Sequence, residues 1–214
     1  MGVKRALSIV GLSLLAVAVA GGDVTLKYQV TLSPQTAREF LGALALALFF
    51  VADDELTWRE DDAGRIKIEN AGKCLLEIDA EAREVRFFSL FEKRFVPVDP
   101  QRAEKIVTVV DFFLGRPLEP GDEMGLDYPL RDKSYRLEAR VVSRGAFTLD
   151  AWPEEAFPCG RVDGLITGWG DDKQTTVCAY VGSEGELTGK LLKLSFKFTD
   201  WPRVTLTLSG RDAN

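Results

Sequence analysis

The sequence predicts an α+β protein: a large, curved antiparallel β-sheet or half-barrel with two covering helices. Three observations predict it. Residues 24–32 alternate apolar and polar with strict period two. Short apolar runs separated by Gly, Asp and Asn recur from Glu55 to Val98 and again from Tyr135 onward. Two stretches, opening at Ser33-Pro34 and Asp99-Pro100, carry apolar residues at helical spacing.

The chain opens with Lys4 and Arg5, an apolar run from Ala6 to Ala20, and small residues at Ala18 and Ala20 where a signal peptidase reads. This predicts a signal peptide over residues 1–20, cut before Gly21, and a periplasmic or secreted product. The run is about 15 residues long, shorter than the roughly 20 a spanning helix needs, so no membrane span is expected after cleavage. Residues 21–214 are then expected to form a single β-rich domain.

Val24, Leu26, Tyr28, Val30 and Leu32 form one face of the first strand. Ser33-Pro34 reads as a helix N-cap with proline at the first helical position, where its missing N–H has no partner to lose. The segment Thr36 to Ala52 is then expected to be helical by its length, although Leu44, Leu46 and Leu48 alternate with alanines as a strand would. Five short strands follow at Leu56–Arg59, Arg65–Glu69, Cys74–Asp79, Glu84–Leu90 and Arg94–Val98, with Asp61 to Gly64 and Asn70 to Gly72 supplying turns. Asp99-Pro100 opens a second helix reaching Leu114, stopped by Gly115. The two helix entries share a five-residue pattern that an internal duplication or a common capping solution would each produce. After a loop at Arg116–Met124, strands are expected from Tyr135 to Val141, Phe147 to Ala151, Val162 to Thr167 and Thr175 to Val181. A closing pair, Leu192–Phe198 and Val204–Leu208, turns at Thr199 to Pro202.

Composition excludes several functions. The chain has 27 basic and 33 acidic residues; without Lys4 and Arg5 the balance is 25 against 33, a net charge of −8. Such a surface repels phosphate backbones and anionic lipid, so no nucleic-acid partner is expected. Histidine is absent, which removes Ser-His-Asp triads, Cys-His dyads and His-ligated zinc together. No cofactor or metal is implied. Of the three cysteines, Cys159 and Cys178 are nearest in sequence and are the favoured structural disulfide, although three buried thiols fit the same spacing. Closing that loop would contribute about 3 kcal/mol.

At 112–121 the chain reads Phe-Phe-Leu-Gly-Arg-Pro-Leu-Glu-Pro-Gly, followed by Asp122 and the strand at Tyr135. This order resembles a bacterial family of secreted proteins of unknown function, with an open β-barrel shape reminiscent of lipoprotein carriers. Leu114, Arg116, Pro117, Leu118, Pro120, Gly121 and Asp122 match, and Gly115 intrudes between leucine and arginine. The resemblance covers residues 98–142. It implies an exported protein of half-barrel shape and brings no catalytic residues with it.

Candidate sites are few. The acidic clusters at Asp53 to Glu55, Glu60 to Asp62, Glu154-Glu155 and Asp171-Asp172 could supply carboxylates for glycoside hydrolysis, but neighbours on a strand face opposite ways and all four fall in expected turns. The stretch Gly164 to Lys173 superficially resembles a phosphate loop; it lacks the Gly-Lys-Ser/Thr ending and reads instead as a Gly-rich hairpin beside Trp169. The aromatic content offers the last candidate. Trp58, Phe88, Phe112, Trp169 and Phe196 are expected to line an apolar pocket or fill the core. The favoured function is therefore a non-enzymatic binder or carrier of a hydrophobic small molecule or an envelope protein. A carboxylate-dependent hydrolase acting on envelope polymers, and a structural or adhesive module, are the alternatives.

Overall fold

The computed structural model describes residues 24–36, 55–89, 92–113, 117–130, 133–168, 175–197 and 202–213. Its strands are β1 (Val24–Ser33), β2 (Glu55–Glu60), β3 (Arg65–Asn70), β4 (Lys73–Asp79), β5 (Glu84–Ser89) and β6 (Arg94–Pro97). Helix α1 (Pro100–Phe113) follows, then β7 (Glu123–Leu130), β8 (Lys133–Leu149), β9 (Trp152–Thr167), β10 (Thr175–Gly182), β11 (Leu191–Lys197) and β12 (Arg203–Ala213). A short 3₁₀ turn at Gly185–Leu187 joins β10 to β11.

All twelve strands belong to one antiparallel sheet, ordered β6-β5-β4-β3-β2-β1-β12-β11-β10-β9-β8-β7. Two six-stranded meanders therefore lie side by side, each built from consecutive hairpins, and meet where β1 pairs with β12. Residues alternate buried and outward along β1, β2 and β3, so the period-two pattern places Leu26, Trp58 and Ile68 next to one another on the inner face.

The sheet is curled. Helix α1 packs against both β5 and β7, which lie near opposite ends of the strand order. It buries Ala103, Ile106, Val107, Val110 and Phe113 between them. Each of the Ile, Val and Phe side chains among them contributes about 1.5–3 kcal/mol. Asp99 starts the helix as expected, its Oδ1 accepting from the backbone N–H of Gln101 at 3.0 Å and Arg102 at 3.2 Å. From the β4–β5 turn, Arg83 donates to Glu104 Oε1 at 2.8 Å and to Asp111 Oδ2 at 3.1 Å, fastening the outer side of α1. The guanidinium is solvent-exposed, so Arg83→Ala is expected to lower stability by only about 1 kcal/mol in a denaturant titration, and less in high salt.

Hairpin β8–β9 runs past both neighbours. Its far end folds back, stacking Phe147 on Tyr180 at 4.5 Å between centroids and setting Trp152 edge-on to Phe157 at 5.9 Å. Lys193 sits over the Phe147 ring and Arg211 over Trp152. Buried Leu149, Phe157, Cys159 and Leu187 complete the apolar surroundings of this end.

One expectation needs correction, and two fall outside the described residues. The described residues hold one α-helix, not two: Ser33 ends β1, and the segment expected to be helical falls almost entirely in residues 37–54, outside the described set. The leader, residues 1–20, also lies outside it. The Cys159–Cys178 bridge is absent, and all three thiols are free. Cys159 pairs with Gly182 and Cys178 with Asp163, so the two thiols are offset by four positions on neighbouring strands. That offset is about 13 Å along the strand, against a Cα separation of at most roughly 7 Å for a disulfide. Closeness in sequence misled here because only positions equidistant from the turn meet in a hairpin.

Candidate functional site

The largely apolar inner face holds a buried ion pair at one place. There β2 turns Trp58 and Glu60 inward, β1 brings Tyr28, and the segment entering β11 brings Lys190 and Leu191. Lys190 and Glu60 form a buried ion pair, Nζ to Oε2 3.9 Å, with both side chains 3% exposed. The Tyr28 hydroxyl donates to the Leu191 carbonyl at 3.0 Å, reaching across β12 to do so. Strand β11 carries a bulge next to this bond, Leu192 falling between the residues opposite Tyr180 and Val181. The Trp58 indole N–H is buried and has no hydrogen-bond partner.

Burial sets the electrostatics. It pushes the Lys190 amine down to about 8, an effect partly offset by the Glu60 carboxylate, and holds the Tyr28 proton well above the ordinary phenol range. A space of about 10 Å³ adjoins these residues, lined by Tyr28, Leu56, Trp58, Ile68, Leu191 and Leu206. Such a volume accommodates about one water molecule and no acyl chain.

The expected aromatic site is dispersed. Trp58 and Phe196 are buried on the inner face, Phe196 opposite Val177 and Val204. Phe88 is half-buried and sits edge-on to Phe95 at 5.6 Å, with Arg86 over the Phe95 ring. Phe112 packs edge-on against Phe113 at the end of α1. Trp169 lies outside the described residues.

Glu60 is the residue the sequence reading misplaced. Grouped with Asp61 and Asp62 as turn acids, it instead continues the inward parity of Leu56 and Trp58, while Asp61 holds the turn by accepting from the backbone N–H of Ala63 and Arg65, each at 3.0 Å. Glu154 and Glu155 are exposed; Asp53, Asp54, Asp171 and Asp172 lie outside the described residues. Among the described residues Glu60 is the one buried carboxylate, and no three Cys, Asp or Glu side chains converge. No helix among them is long and apolar enough to cross a membrane.

The cysteines are protected. Burial, with Glu77 and Glu69 nearby, pushes the Cys74 thiol up to about 11; burial also raises Cys159, and burial with Asp163 raises Cys178. At pH 8 the folded protein is expected to react with a thiol reagent far more slowly than free cysteine, and to show three equivalents once denatured without reductant.

No protein-family model matches the chain, and no curated protein matches it in sequence. Solved structures do resemble it. They include the hypothetical lipoprotein YmcC from Escherichia coli K12, at 10% identity and a TM-score of 0.36, covering 89% of this chain and 88% of that one. A candidate lipoprotein from Parabacteroides distasonis matches at 8% identity and 0.41, covering 92% and 98%. A candidate exported protein with a YmcC-like fold from Bacteroides fragilis matches at 12% and 0.40, covering 92% and 99%. The chain is similar in outline to these three structures.

Proposed function

We propose that this chain is exported and acts without catalysis, as an envelope binding protein that engages a partner at the surface of its curled sheet and does not store a small molecule inside it. One observation carries this reading: among the described residues, the space beside Tyr28 and Trp58 on the inner face has room for about a water molecule. Export is supported by the Lys4-Arg5 start and the apolar run that ends at Ala20. The hydrolase alternative is disfavoured because glycoside hydrolysis needs two carboxylates across one cleft, and the described inner face offers Glu60 alone, already neutralised by Lys190.

Native mass spectrometry of protein purified from its own host's envelope tests the choice. The expected result is the bare mature mass beginning at Gly21, with a protein partner recovered when the envelope is cross-linked first. A stoichiometric lipid adduct would instead restore the carrier.

A further inference from the structure

The junction between the two six-stranded halves is the one pairing in the sheet that no hairpin turn or neighbouring strand connection sets. Every other strand pair is consecutive in the chain, so a connecting segment limits its register; β1 and β12 come from the two ends of the described chain. Hydrophobic patterning cannot do the whole task. A slip of one residue turns every side chain to the wrong face, but a slip of two keeps the pattern, and the inner residues of β12, Val204, Leu206 and Leu208, are all aliphatic. Opposite them stand Leu32, Val30 and Tyr28.

We infer that the Glu60–Lys190 pair, with the Tyr28 to Leu191 hydrogen bond, is a register lock across this seam. Glu60 belongs to the first half and Lys190 to the second, each one strand removed from the junction, and Tyr28 reaches from the first half to the backbone of the second. A two-residue slip moves β12, and β11 with it, about 7 Å along β1, which separates both contacts together. It leaves a buried charge without its partner, an arrangement that aliphatic contacts do not compensate. The bulge between Lys27 and Tyr28, where Ser209 Oγ donates to the Lys27 carbonyl at 3.1 Å, supports the same register locally.

Cysteine trapping on the outer face reads the register. Thr31 faces Thr205 in the native pairing and would face Thr207 after a slip. In the wild-type background, oxidation is expected to link Thr31→Cys with Thr205→Cys and not with Thr207→Cys. In a Glu60→Leu, Lys190→Met, Tyr28→Phe background the slipped pair is expected to link as well, reaching at least a tenth of the native yield. A charge-reversed background, Glu60→Lys with Lys190→Glu, is expected to return the linkage to the native pair. Native linkage alone in the apolar background overturns the inference. If that background does not melt cooperatively, the single Lys190→Ala variant is trapped in its place, and native-only linkage there overturns it equally.

Discussion

Replacing Lys190 with methionine is expected to lower stability by about 3–5 kcal/mol, because it removes the ammonium that pairs with the buried Glu60 carboxylate. Total domain stability is about 5–15 kcal/mol, so the variant is close to unfolding at ambient temperature. Glu60→Leu combined with Lys190→Met is expected to recover most of the loss, since well-packed apolar replacements of a buried pair are commonly neutral or stabilising. The pH dependence provides a second signature. Lys190 has a folded pKa of about 8, below its ordinary 10.5, so the unfolded chain holds this proton more tightly between those values. The penalty of burying the ammonium is therefore fully present below about pH 8 and is relieved as pH rises toward 10.5. Tyr28 and the three thiols act oppositely: their folded pKa values are raised, so the stability they contribute is lost as pH climbs above their ordinary values near 9 and 10. Subtracting the double variant's stability from wild type, in urea titrations from pH 7 to 10.5, is expected to isolate a rising Lys190 contribution. A difference that stays level across this range would show that the amine is solvated.

Gly182→Ala is expected to be comparably damaging for a steric reason. A Cβ at Gly182 would stand 1.9 Å from the Leu187 carbonyl oxygen and 2.7 Å from its carbon, both backbone atoms. Leu187 cannot withdraw freely. The turn it belongs to is tied down by Gly182 N–H donating to the Lys190 carbonyl at 2.9 Å, Gly189 N–H to the Gly182 carbonyl at 2.8 Å and Lys190 N–H to the Leu187 carbonyl at 2.9 Å. Making room for one methyl thus pulls on the residue that holds Glu60. The expected loss is about 3 kcal/mol, the upper end of overpacking effects. Gly145→Ala is the matched control: nothing lies within 4 Å of its added methyl, and its stability is expected to stay within about 0.5 kcal/mol of wild type. Equal midpoints for the two variants in urea would mean that the 182–190 turn is loosely packed.

How much of this was legible depended on where local chemistry and tertiary context agreed. Strands β2 to β6 and helix α1 emerged within a residue or two of their ends because Asp61 to Gly64, Asn70 to Gly72 and the Asp99 cap punctuate them. Gly64 and Gly72 adopt φ of 70° and 71°, the left-handed conformation for which turn glycines are suited. Strand β7 went unread. Gly125 and Pro129 argue against a strand interior, and only its place at the sheet edge makes them tolerable. Strand β8 was expected as two pieces because Val142 is a bulge that breaks the alternation, its pairing passing from Val141 to Ser143. The first half of β9, with Pro153, Glu154, Glu155 and Pro158, looks like loop until β8 is laid beside it. The site was less visible. Strand parity put Glu60 indoors, yet an isolated buried carboxylate is so unfavourable that its position reads as a turn unless Lys190, 130 residues later, is known to meet it. The aromatic cup is not brought together among the described residues: Trp58 and Phe196 lie on the inner face, Phe88 beside Phe95 and Phe112 on helix α1.

A high-resolution crystal structure of protein isolated from its own host bears most directly on the claim that two meanders join at a polar seam around a filled interior. The predicted result places Val30 opposite Leu206, Lys190 beside Glu60, and only protein atoms and ordered water between α1 and the sheet. Elongated density for an acyl chain in that interior, or β1 paired with any strand other than β12 across the seam, would contradict it.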